Sequence, residues 1–242
     1  MRGPGALALA LALAAVALTG CETTAEKRAQ QKREAKHVTL TEKGLTIAHQ
    51  SAVVKVLGAT VLHGSEGAAV VVTLRNDSSH ALREVPIAIT VSDSRGHRLS
   101  ENNAPGLEGA LVSLASLAAH STAVWVDDQV PTAGQPATVT TQVGQSPQLH
   151  ESPPNLAISS ARLSESPANG AVVTASVSNR SAIAQRKLVV FAVARRDGRI
   201  VAAGRAVVPE LGAGVAKPVE LFLVGDASGA QLQLSAPATT LG

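Results

Sequence analysis

One pattern occurs twice along the chain, at a spacing of 103 residues. Asn76-Asp77-Ser78 recurs as Asn179-Arg180-Ser181, and Gly67 recurs as Gly170. The segment before each Asn is apolar, Ala69-Val70-Val71-Val72-Thr73-Leu74 in the first copy and Ala171-Val172-Val173-Thr174-Ala175-Ser176-Val177 in the second. A fixed period of this kind means one supersecondary unit used twice, so a fold must be sought for a unit of about 100 residues rather than for the whole chain.

The next segment repeats as well. Val85, Ile87, Ile89 and Val91 alternate with smaller or polar residues, and Leu188, Val190, Ala192 and Ala194 occupy the same places in the second copy. Period-two alternation with β-branched residues is the mark of a half-buried strand. Each copy then turns at a glycine, Ser94-Arg95-Gly96 or Arg196-Asp197-Gly198. Asp-Gly between apolar runs is a hairpin signal because both residues tolerate the positive φ of a type I′ turn. Beyond the turn the first copy is longer, and the extra residues lie in the polar, Gly- and Pro-containing stretch 101–110. A helical turn fits within 107–119; no longer helix pattern occurs inside the copies.

Six or seven short strands per copy, with turn signals every 8 to 12 residues, point to an all-β fold. The expected architecture is two tandem immunoglobulin-like antiparallel β-sandwiches, at 46–145 and 156–242, joined by a Pro-rich linker at 146–155. The order of apolar strand, Asn-x-Ser turn, alternating strand and glycine turn resembles the FxLYD-type and related small immunoglobulin-like modules of bacterial envelope lipoproteins. This resemblance covers each repeat and implies binding or spacer domains without catalytic residues. The aromatic and Tyr-Asp positions typical of that group are absent, since the chain has no tyrosine.

Aromatic residues make up only 1% of the chain although apolar residues reach 45%, so the cores must be packed from Val, Leu, Ile and Ala. Such a composition disfavours stacking platforms for single-stranded nucleic acid. Two small cores are expected.

The N-terminal segment follows different rules. Arg2 precedes an almost wholly Ala, Leu and Val run from Ala6 to Leu18, which has the form of a secretory signal. The run is shorter than the roughly 20 residues a membrane-spanning helix needs. It leads into Leu18-Thr19-Gly20-Cys21, which resembles the bacterial lipobox. That resemblance implies cleavage between Gly20 and Cys21, removal of 1–20, and diacylglyceration of the Cys21 sulfur. No second cysteine exists to form a disulfide with Cys21. Residues 21–45 then read as an acylated Cys and charged tether, because alternating charges without an apolar stripe cannot make a stable core helix. The expected location is the cell membrane, lipid-anchored, on the extracytoplasmic side.

Chemistry is harder to find. The seven histidines, His37, His49, His63, His80, His97, His120 and His150, show no ligand spacing, so solvated loop positions are preferred to a zinc site. Asp127-Asp128 could serve calcium binding or acid–base work, but a polar loop after the Trp125 strand is the simpler reading. The two Asn-x-Ser sequences match a glycosylation pattern, yet their equivalent places argue for turn chemistry. No catalytic residue, metal or cofactor is assigned, and the chain is expected not to be an enzyme.

Charge divides by segment. Residues 22–43 carry a net +2, residues 44–150 a net −3 and residues 151–242 a net +3. Nothing approaches the dense single-sign stripe of a nucleic-acid binder. In the second copy Arg180, Arg186, Lys187, Arg195, Arg196, Arg199 and Arg205 form a solvated basic face or a docking surface. Arg186 and Lys187 open one strand and Arg195 and Arg196 end it, so these four are the candidate partner-binding residues. The expected role is a non-catalytic interaction or spacer module of the bacterial cell envelope, with envelope proteins or anionic envelope polymers as partners. The alternative is an accessory substrate-binding component of an envelope transport or secretion system, with 101–110 as its contact surface.

Overall fold

The computed structural model describes residues 44–64, 67–131, 133–166 and 170–241. Gly20, Cys21, His37 and most of the tether therefore lie outside the described residues. Those described form part of a single compact unit that begins at Leu40.

The described chain is all-β and antiparallel, as the alternation predicts. The first repeat supplies β1 (Val54–Gly64), β2 (Gly67–Asn76), β3 (Ala81–Ser92), β4 (Arg98–Glu101), β5 (Ser113–Leu117), β6 (Thr122–Val130) and β7 (Thr138–Val143). A two-residue strand, β8 (Gln148–Leu149), follows. The second repeat supplies β9 (Leu156–Ser166), β10 (Gly170–Asn179), β11 (Gln185–Arg196), β12 (Arg199–Leu211), β13 (Ala216–Gly225) and β14 (Gln231–Ser235).

Each repeat is a sandwich of two sheets. In the first, β1–β2–β6 faces a sheet in which β3 pairs with β4, β5 and β7. In the second, β9–β10–β13 faces β14–β11–β12, and the two sheets meet where Ala202 and Ala203 of β12 pair with Gly225 and Val224 of β13. Glycine permits that meeting: a Cβ on Gly204 would lie 2.0 Å from the Phe222 carbonyl oxygen. The registers correspond, with Val72 opposite Trp125 and, 103 residues on, Ala175 opposite Val219. The Asp-Gly turn forms as expected, with φ of 51° at Asp197 and 76° at Gly198.

The extra residues of the first copy split a strand. In the second repeat β12 is one strand that runs alongside β11 from Arg199 to Leu211, with a register shift between Ala194 and Arg195. In the first, β4 covers one end of β3 and β5 the other, and 102–112 loops out between them, carrying a 3-10 turn at Gly109–Leu111. The gap would strand backbone groups of β3, which is costly for buried peptide units. Asn102, itself buried, fills it: its Oδ1 accepts Ile89 N–H at 2.8 Å, and its Nδ2 donates to the carbonyls of Ile87 and Leu111, each at 2.8 Å.

The linker is pinned to the first sandwich rather than spanning freely between two. Leu149 and Gln148 pair with Ala81 and Leu82, and Arg83 N–H donates to the Pro147 carbonyl at 3.0 Å.

Core composition explains why the two sandwiches make one body. Leu188, Val190 and Ala192 of β11 pack into the second sandwich. Val189, Phe191 and Val193 on its other face join the cluster of the first. A strand covered on both faces reads as a continuous apolar run, and Leu188-Val189-Val190-Phe191-Ala192-Val193-Ala194 is one. β2 is buried on both faces too. The outer face of β1–β2–β6 thus rests on the outer face of β11–β12–β13. The second repeat has a core cluster of its own, and the larger cluster, centred on the first repeat, also draws side chains from β11 and β12.

A candidate ligand cleft where the two repeats meet

Equivalent residue pairs begin β3 and β11. Arg83-Glu84 stands in the first repeat and Arg186-Lys187 in the second, and all four side chains are exposed. Glu84 and Lys187 both have a left-handed backbone, with φ of 49° and 47°. Non-glycine residues adopt that conformation at a cost, so the irregularity is a built feature of the repeat.

Because the sandwiches stack, these pairs come to line one cleft of about 770 Å³. Its floor holds Val189 and Phe191, and Leu107 to Ala110 of the loop between β4 and β5 form one wall with Ala115 of β5. The opposite wall is the C-terminal segment, Pro237 and Thr239 to Leu241. That wall is fixed by Gln185, which is fully buried. Its Oε1 accepts the N–H groups of Thr239 and Thr240 at 2.9 and 3.0 Å, and its Nε2 donates to the Thr240 carbonyl at 3.0 Å. Thr239 Oγ1 also donates to the Arg186 carbonyl at 2.7 Å. Leu82 occupies the place of Gln185 in the first repeat, where β8 pairs directly instead.

Beside the cleft, an ion network ties the repeats together. Arg205 of β12, with a side chain only 3% exposed, donates through Nε to Asp128 Oδ1 at 3.1 Å and through a second nitrogen to Glu108 Oε2 at 3.0 Å. Its backbone N–H donates to Asp128 Oδ2 at 3.0 Å. Burial raises the Asp128 carboxyl above its usual range, opposed by the Arg205 N–H and charge. Asp127, on the opposite face of β6, is pushed up to about 6 by burial against the pull of the Gln129 N–H and of Arg205.

Two expectations are therefore corrected. Asp127 and Asp128 are not in a polar loop: β6 runs on to Val130, and both are strand residues in packed surroundings. Arg205 does not belong to a solvated face, because its strand is covered by the first repeat. Nothing in the local sequence marks Arg205 or Gln185. Only their place on a doubly covered sheet could have, through a polar residue standing where an apolar one would serve.

The four candidate partner-binding residues separate into two pairs. Arg186 and Lys187 line the cleft with Arg83, and among the described residues no ion pair engages any of the three side chains. Arg195 and Arg196 lie at the far end of β11, about 30 Å away at 3.3 Å per strand residue. There they serve local structure. Arg196 bonds Asp226 Oδ2 at 3.2 Å and reaches the Asp226 and Ser228 carbonyls, while Arg195 Nε lies 3.4 Å from Gln233 Oε1. Hydrogen bonds from Ser228, then from Arg196, hold the Asp226 carboxyl down to about 2.

A second cleft, of about 580 Å³, lies on the other side of Pro237 and is lined by His80, His150 and the linker prolines Pro153 and Pro154. Among the described residues no three His, Cys, Asp or Glu side chains gather to hold a metal. The chain matches no protein-family model and no curated protein.

Proposed function

We propose that this chain is a non-catalytic lipoprotein of the bacterial cell envelope, anchored through an acylated Cys21 on the extracytoplasmic side. In that role the packed pair of sandwiches presents the cleft of Arg83, Arg186 and Lys187 as an interaction surface. The observation that carries the reading is the contrast among its basic residues. Arg196 and Arg205 are committed to structure, whereas three exposed cations around the cleft are not. Unpaired like charges kept together cost stability by repulsion, and a partner of opposite sign offsets that cost.

A second reading, an accessory substrate-binding component of an envelope transport or secretion system, is favoured by one feature. The loop between β4 and β5, which is the stretch proposed as its contact surface, supplies a wall of the cleft.

The anchor is tested by metabolic labelling with a fatty acid and by membrane fractionation. The unsubstituted chain takes up label and sediments with membranes, and Cys21→Ala does neither. Equal membrane retention of the two would overturn the proposal.

A further inference from the structure

We infer that the cleft binds an anionic amphiphile, a single acyl chain ending in a phosphate or carboxylate head. This deepens the reading of the cleft as the interaction surface and rests on it. The lining has two characters. Arg83, Arg186 and Lys187 stand at exposed positions and set a positive rim. Val189 and Phe191, only 5% and 3% exposed, underlie the cleft, and Leu107, Ala110 and Ala115 add apolar surface beside them. Two acidic side chains also line the cleft: Glu108 is held by Arg205 at 3.0 Å, a cation it shares with Asp128, and Glu84 stands free of any ion pair among the described residues, so three cations face two carboxylates and the lining keeps a net positive charge.

The size fits a compact ligand. About 770 Å³ lies within the roughly 300–1,000 Å³ typical of small-molecule sites, where apolar walls supply most of the contact and a few charged groups fix orientation. An anionic polymer would need cations repeated along its length. Here the other pair on the same strand, Arg195 and Arg196, is distant and engaged by Gln233, Asp226 and Ser228. Scarce aromatics likewise disfavour sugar stacking. An alkyl chain needs no aromatic partner, because its burial is driven by apolar area.

The site also carries its own reporter. Trp125, the single tryptophan, is fully buried and donates through Nε1 to the Ala110 carbonyl at 2.8 Å, and Ala110 lines the cleft.

The test uses residues 40–242, the compact unit that holds both cores. It is titrated below their micellar concentrations with dodecyl phosphate and dodecyl maltoside, and separately with inorganic phosphate and an oligo-glutamate peptide. Trp125 fluorescence and calorimetry provide the readouts. Dodecyl phosphate is expected to bind at least about tenfold more tightly than the other three. The double variant Arg186→Gln/Lys187→Gln is expected to lose about tenfold in affinity for it, and Arg195→Gln/Arg196→Gln none. Both pairs are exposed or half-buried at strand ends, and Arg83→Gln provides a third, single-site variant whose affinity must also fall. Equal binding of the maltoside, tighter binding of the peptide, or an unchanged double variant overturns the inference. None of these results touches the Cys21 labelling experiment, so the two failures can be told apart.

Discussion

Asn76 and Asn179, 103 residues apart, make the same five side-chain hydrogen bonds. Each Oδ1 accepts the N–H and the hydroxyl of the Ser two residues on, at 3.0 and 2.7 Å in both copies. Each Nδ2 reaches three carbonyls: His80, Leu117 and Ala118 in the first repeat, and Ile183, Leu211 and Gly212 in the second. The Asn-x-Ser pattern is therefore turn chemistry that ties one sheet to the loop of the other, and both asparagines are buried beyond the reach of a modifying enzyme. Asn76→Ala or Asn179→Ala should lower stability by about 2–3 kcal/mol, because buried acceptors lose their donor. Urea denaturation measures the loss, and a change below about 0.5 kcal/mol would show the network to be incidental.

Arg205→Met should cost about 3 kcal/mol, since Asp128 would keep a buried charge without its partner. Adding Asp128→Asn to that variant should restore part of the loss, and a thermodynamic cycle from urea midpoints measures the coupling. Additive effects would mean that the repeats are held by apolar contact alone.

Asp127 sets a pH dependence of definite sign. Its folded pKa of about 6 lies above its ordinary 3.8, so between these values the folded chain keeps a proton that the unfolded chain has released. Stability from this group therefore falls as pH rises through about 4 to 6, by about 3 kcal/mol for two units. Asp127→Asn, which can still accept the Gln129 N–H, should flatten that slope and raise stability at pH 7. Thermal melts across pH 4 to 8 decide the point, and a parallel slope in the variant would refute it.

Gln185→Leu, which copies the first repeat, should free the C-terminal wall of the cleft while sparing the core. The amide protons of Thr239 and Thr240 lose their acceptor, so their hydrogen exchange should quicken by about tenfold or more. Amides in β10 and in β11 from Leu188 onward should not change, whereas the Arg186 amide, which donates to Thr240 Oγ1 at 3.3 Å, belongs to the freed segment. Uniform acceleration would instead signal global destabilisation.

How much of this was legible follows from which residues repeat. The sandwich class, the corresponding strands and the Asn-x-Ser and Asp-Gly turns could all be read, because turn chemistry and period-two alternation are local. The split of one strand into β4 and β5 was visible only as extra length. Asn102, which heals that split, makes its bonds to residues 13 and 15 positions away. The packing of one repeat on the other had a sequence trace in the unbroken apolar run of β11, set against the alternation of β3. That run marks a strand covered twice without saying by what. Arg205 and its partners were not legible at all, since the two contacts span 77 and 97 residues and obey no period.

The stacking of the repeats is front to back, and such contacts are open-ended: a unit with two complementary faces can add copies without limit. The second repeat carries the counterpart of the face buried in the first. Val71 and Val126, cross-strand partners covered in the first repeat, correspond to Thr174 and Glu220, a partnered and exposed pair in the second. A hydroxyl and a carboxylate where two valines would have been adhesive turn a potential fibre into a terminated pair. The double variant Thr174→Val/Glu220→Val should self-associate more strongly than the unsubstituted chain, and sedimentation over a concentration series measures how far those two side chains weaken the contact.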